Sequence, residues 1–146
     1  MTDQSIIDAT KKNVGAIIAE RFPQAVDFGD GSYAISYGSS SVIVVVRPYT
    51  ESDTMVEVMS QIVTGANLTP EVLRWLLRKN AELHFGAFGL LFDDTIIFSY
   101  SLPGSKLDAS ELEAAITSVA IIGDHYDDEL VAMAGGLRFV DLDITG

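Results

Sequence analysis

The acid–base and metal chemistry open to these 146 residues is that of 21 carboxylates and two histidines, His84 and His125, with no cysteine. Without thiols there is no thiolate zinc site, no disulfide and no thiol nucleophile. His125 stands in the run Asp124-His125-Tyr126-Asp127-Asp128-Glu129. On a helix, Asp124, Asp127 and Asp128 share one face, and carboxylates grouped in that way could hold a hard cation. A solvated acidic face explains the pattern more simply, and the Glu-x-x-His spacing of bundle metal sites is missing. A metal-assisted hydrolase using Asp124, His125 and Asp128 is the enzyme reading these residues allow. His84 closes a predicted helix between Leu83 and Phe85, where an imidazolium is favoured by the last carbonyls. Capping or packing is expected of it rather than catalysis. Asp27-Phe28-Gly29 matches three letters of a kinase signature, but the Gly-rich and His-Arg-Asp loops are absent. There is no Walker A sequence, no Gly-x-Gly-x-x-Gly and no Gly-x-Ser-x-Gly elbow. No catalytic residue, cofactor or metal is assigned, and an enzyme is not expected.

Three other groups bear on binding. Arg74, Arg78 and Lys79 form the one basic patch, and Glu71 and Glu82 lie within a turn of it, so pairing along a helix accounts for it. Asn80 falls amid the apolar stripe of that helix. A buried amide needs partners, and the backbone of the strand near Gly86 is expected to supply them. Met55, Met59 and Val63 share one face of a predicted strand with Glu57 and Gln61. Methionine adapts to varied apolar partners, and exposed apolar patches mark interaction sites. Met55, Met59 and Val63 are therefore the candidate partner-binding residues. Cover by a helix or by a second copy of the chain explains the same face equally well.

These residues are positioned by elements that the periodicity marks out. Ile6, Ile7, Val14, Ile17 and Ile18 predict a first helix over Ser5–Arg21, stopped by Pro23. Asp27 to Gly31 is a turn cluster. Tyr33–Tyr37, Val42–Tyr49 and Met55–Thr64 alternate as strands. Val42–Val46 is apolar on both faces, which calls for cover on both sides. Thr69 and Pro70 open a second helix carrying Val72, Leu73, Leu76, Leu77 and Leu83. A hairpin follows, Gly86–Phe92 and Thr95–Leu102 about the turn Asp93-Asp94. Asp108 and Glu111 begin the last helix. Its seam is Leu112, Ile116, Val119, Gly123, Tyr126, Leu130 and Met133, and it ends at Gly135-Gly136. The tail from Leu137 is a short edge strand or docks on a neighbour. The order α-β-β-β-α-β-β-α predicts an α+β fold, a mostly antiparallel sheet flanked by helices.

The composition narrows the function classes. The chain is 48% hydrophobic and 21% charged, which excludes intrinsic disorder. The net charge is −12, of which −8 falls between Leu107 and Gly146. Such acidity argues against a nucleic-acid surface, which needs Lys and Arg. The longest clean aliphatic run, Val42–Val46, is far short of a membrane helix, and the first residues lack the pattern of a signal peptide. A cytoplasmic protein is expected, with residues 1–146 as a single domain free of repeats and linkers.

The segment Leu76-Leu77-Arg78-Lys79-Asn80-Ala81-Glu82-Leu83-His84-Phe85-Gly86-Ala87-Phe88-Gly89-Leu90 resembles the YbjN-like family of bacterial proteins, in which a helix ending in Leu-Leu…Asn runs into Phe-Gly-x-Phe and a β-hairpin. Leu102-Pro103 and Gly123-Asp124-His125-Tyr126 extend the likeness, which spans about Leu73 to Leu130 and looks closest to the cyanobacterial branch. The resemblance implies the fold of type III secretion chaperones, small acidic dimers that bind unfolded client segments along apolar surface. The expectation is a non-enzymatic module, a homodimer, that takes a client protein or peptide by strand addition or in a groove. The alternative is a small-molecule sensor with a pocket between the last helix and the sheet, lined by Tyr100 and Tyr126.

Overall fold

The computed structural model describes residues 2–142. Along the chain lie α1 (Gln4–Arg21), β1 (Val26–Asp27), β2 (Tyr33–Tyr37), β3 (Ser40–Pro48), β4 (Thr54–Thr64), α2 (Pro70–Leu83), β5 (Ala87–Leu90), β6 (Ile96–Pro103), α3 (Ala109–Ala134), β7 (Leu137–Arg138) and a 3-10 turn, Phe139–Asp141. The strands are ordered β1-β2-β3-β4-β6-β5, with β7 also pairing β4, and every pairing is antiparallel. The expected α+β order is present. The two-residue strands β1 and β7 are additions, β1 arising where only a turn cluster was read. Of the tail, Leu137 and Arg138 do form a strand, while Ile144 lies outside the described residues.

Local chemistry sets the helix ends. Asp3 accepts from the Ser5 N–H, Thr69 from Val72 and Asp108 from Glu111, satisfying amides that the first turn leaves free. Gly135 ends α3 at φ +71°, and its N–H donates to the Val131 carbonyl.

The pairing register sorts the side chains into two faces. Val42, Val44 and Val46 lie beside Ser60, Val58 and Val56, and these in turn beside Phe98, Tyr100 and Leu102. All three helices cover this face. Thr10 of α1 hydrogen-bonds Thr54 at 2.8 Å. Trp75 of α2 packs on Phe88, whose ring meets Phe98 at 5.0 Å. On α3, Leu112, Ile116, Val119 and Leu130 are buried. Gly123 passes so close to the sheet that a Cβ there would lie 2.5 Å from Ser40 Oγ and 3.0 Å from Ser60 Oγ. Those two hydroxyls bond each other at 2.7 Å.

Two expectations are corrected. No α-helix among the described residues covers the second face of β3; Ile43 and Val45 are half-buried, and the Phe139–Asp141 turn also approaches β3 and β4. Val63 also leaves the face of Met55 and Met59. A β-bulge shifts the β4–β6 register after Gln61, so Val63 pairs Ile96 rather than continuing the alternation. It turns into the core beside Ile62 and is 1% exposed.

Candidate functional site

The face left bare carries Met55 and Met59. Met59 has Ile43 on one side and Ser99 on the other, and Met55 has Arg47 and Pro103. Between them Glu57 lies beside Val45 and Ser101, while Gln61 pairs Ile97. An Arg47–Glu57 ion pair of 3.3 Å crosses the face diagonally. At one end Tyr49, Met55 and Pro103 frame a hollow of about 220 Å³. The surface is thus an apolar strip of thioethers and branched side chains edged by an ion pair and serines.

A deeper concavity lies on the helix side. A cleft of about 470 Å³ opens between the end of α1 (Phe22), β2 (Ile35, Tyr37) and α3 (Ile116, Thr117, Ala120). Because β1 pairs only Tyr33 and Ala34, the strand edge at Ile35–Tyr37 that borders this cleft has no β1 partner. A third hollow, about 320 Å³, lies between Phe85, Tyr100, Leu102 and the start of α3. Phe85 stacks on Tyr100 there with ring centroids 6.1 Å apart. Tyr126 is not in it. Its ring packs on Trp75 and Phe88 at 5.6 and 5.9 Å. The two tyrosines expected to line one pocket therefore belong to separate aromatic groups.

The acidic run on α3 is not one solvated face. Asp124 accepts from the Ser39 amide at 2.8 Å and from Ser39 Oγ at 2.9 Å, and these bonds hold its carboxyl below the usual range. Asp127 is only 2% exposed and also meets Ser39 Oγ; burial pushes its carboxyl up. Asp128 points outward and pairs Arg138 at 3.1 Å. His125 stands edge-on to Tyr126. Among the described residues no three His, Asp or Glu side chains are placed to hold a metal ion. Asp124, His125 and Asp128 are thus not brought to one point. The pattern contained a signal for Asp127: it lies four residues after the tightly packed Gly123 and three before buried Leu130. An i, i+4 spacing puts it on the sheet side of the helix.

The remaining residues behave as local chemistry predicts. Asn80 pins α2 to β5: its Oδ1 accepts from the Phe88 amide at 2.6 Å and its Nδ2 donates to the Phe88 carbonyl at 3.2 Å. Lys79 pairs Glu82 at 3.0 Å and lies over the rings of Trp75 and Tyr126 at 5.6 and 5.5 Å. His84 is the C-cap of α2, at φ +60°.

The chain is thus an α+β protein, an antiparallel sheet with α1, α2 and α3 on one side and the Met55–Met59 strip on the other. A chain in the crystal structure of the ExsC–ExsE complex has the same fold, at a TM-score of 0.61 and 14% identity, the match covering 82% of this chain and 95% of that one. The family model described as T3SS (YopN, CesT) and YbjN peptide-binding chaperone 1, TY-Chap1, matches residues 8–142, and the chain belongs to that family. No curated protein matches the sequence.

Proposed function

We propose that the protein binds client peptide segments on the bare face of its sheet, as a non-enzymatic, cytoplasmic chaperone or adaptor acting as one unit and as a homodimer. The observation that carries this reading is the placement of Met55 and Met59, with Ile43, Val45 and Ile97, on a face that no α-helix of the described residues covers. The peptide-binding description of the family supports it. No helix of the described residues is long and apolar enough to cross a membrane, consistent with a client met in water. Val63, being buried, takes no part.

An array of overlapping apolar-rich peptides tests the surface. The wild type should retain a subset of them. The double variant Met55→Glu, Met59→Glu should lose these about a hundredfold, since two thioethers that a client would cover contribute roughly 1.5 kcal/mol each. Its circular dichroism should be unchanged, because both positions are only half-buried and lie away from the core face. Peptides retained by the double variant would move the client to another surface, and a wild type that retains none would end the peptide-binding reading.

The homodimer rests on a different region. Leu77 of α2 is 70% exposed, and Leu90 and Phe92 beside the β5–β6 turn are exposed as well. Exposed apolar side chains of this kind suit a second copy. Light scattering at micromolar concentration should give twice the 15.7 kDa protomer mass; the protomer mass itself would refute the dimer.

A further inference from the structure

Where the β2–β3 turn touches α3, three oxygen-bearing side chains meet with too few obvious protons. Ser39 Oγ is within hydrogen-bonding distance of both Asp124 Oδ1 and Asp127 Oδ2. A serine hydroxyl owns one proton and can donate only once. Two ionised carboxylates flanking it would leave one of the contacts as oxygen facing oxygen with nothing between. The second proton must come from a carboxyl group, and burial decides which. Asp124 is partly exposed and already accepts the Ser39 amide. Asp127 is almost wholly buried, and its Oδ1 has no hydrogen-bond partner. An anion there would lack water and have no partner at Oδ1, and burial outweighs what the Ser39 hydroxyl and the Asp128 N–H offer it, so its neutral form is the stable one.

We propose that Asp127 is kept as the neutral acid in the folded protein, and that its proton closes an Asp127–Ser39–Asp124 chain fastening the β2–β3 turn to α3 in a pH-dependent way. Asp127 donates to Ser39 Oγ, and Ser39 donates to the Asp124 carboxylate. When the Asp127 proton leaves, two anions face a single hydroxyl and the turn loosens. The charged and titratable groups that act on this chain are His125 and Asp128 on α3 and Arg138 on β7, with Asp141 paired to Arg138. Arg138 is the one cation with a full charge among them, and it is engaged by Asp128 and Asp141. It makes no ion pair with Asp127, and its attraction, which favours the anion, is outweighed by burial. Gly38, next to Ser39, shows how closely the turn is seated: a Cβ there would lie 2.2 Å from Asp124 Oδ1.

The consequence reaches the helix-side cleft. Its strand wall, Ala34–Tyr37, runs directly into this turn, and its helix wall, Ile116 to Ala120, precedes Asp124 by one turn. The proton therefore ties together the two walls of the cleft, tight at low pH and freer at high pH. The linkage sign follows: Asp127 binds its proton more strongly folded than unfolded. Its contribution to stability is whole below the ordinary aspartate range and is lost as pH rises through its folded pKa.

The test needs no client, so it stands or falls apart from the peptide-binding reading. Carboxyl-detected NMR follows Asp127 through a pH titration while hydrogen exchange, corrected for intrinsic rate, follows the Ser39 amide. Asp127 should titrate above the usual aspartate range, and protection at Ser39 should fall roughly tenfold over the same interval as its hydrogen bond opens. In Asp127→Asn the side-chain amide donates to Ser39 Oγ at every pH, so protection should become independent of pH. Titration of Asp127 at or below the ordinary value overturns the proposal. So does Ser39 protection that stays constant while Asp127 ionises, or a folded Asp127→Asn protein that keeps the wild-type pH dependence. Should that variant fail to fold, the wild-type titration decides alone.

Discussion

Gly123→Leu should lower stability by about 3 kcal/mol, read as a urea midpoint shift of about 1.5 M for a slope of about 2 kcal/mol/M. The substitution improves helix propensity by nearly 1 kcal/mol, so the sign is decided by what the side chain meets. Even the first added carbon would lie 2.5 Å from Ser40 Oγ, 3.0 Å from Ser60 Oγ and 3.3 Å from Ile62 Cδ1. Both hydroxyls are buried and spend their bonding on each other, so neither can swing away without leaving a polar atom unpaired. Relief requires α3 to lift from β3 and β4. Lifting it also withdraws Asp124, the next residue, and Asp127, one turn further on, from Ser39. Gly123→Ala meets the same hydroxyls with fewer atoms and should cost less but keep the same sign. A leucine variant as stable as the wild type would show that α3 does not ride this close to the sheet.

The sequence was most legible where one residue type does one local job. Thr69-Pro70, Asp108 with Glu111, Gly135 and the Asp93-Asp94 turn each announce a backbone geometry that only neighbouring residues have to satisfy, and each lies where the pattern puts it. The seam of α3 was legible for the same reason, since a period of three to four residues survives any tertiary context. Val63 was illegible because a bulge is an event between two strands: the extra residue shows only against the register of β6. β1 escaped because two residues carry no periodicity, and Val26 and Asp27 pair simply because β2 passes them. Asp127 was misplaced because charge outweighed position. A carboxylate reads as solvated unless its protonation is considered, and its protonation depends on Ser39, distant in sequence. The bare sheet face was half-legible. Two apolar faces on one strand imply cover, but nothing in the strand says whether the cover is a helix of the same chain or another molecule.

The Asn80 amide offers the second large effect, and one whose sign with pH can be worked out. Asn80→Ala should cost about 2–4 kcal/mol, because the Phe88 N–H and C=O both lose their partner at a nearly buried position, at about 1–3 kcal/mol for each unmet group. The gain in helix propensity, roughly 0.6 kcal/mol, offsets little of this. Asn80→Asp separates the two bonds. A carboxylate still accepts from the Phe88 N–H but cannot donate to the Phe88 carbonyl, and it sets a negative charge against that oxygen. The neutral acid can make both bonds. Partial burial and the facing carbonyl raise the folded pKa of this aspartate above its unfolded value, so its stabilising contribution is complete below the unfolded pKa of about 3.9 and lost as pH rises through the folded one. Measured against wild type, Asn80→Asp should therefore be close to parity at pH 4 and approach the alanine variant at pH 8. An aspartate variant whose deficit is the same at both pH values would mean that water, not the Phe88 backbone, satisfies the side chain. The hold of α2 on β5 would then rest on apolar packing, the Trp75–Phe88 contact included.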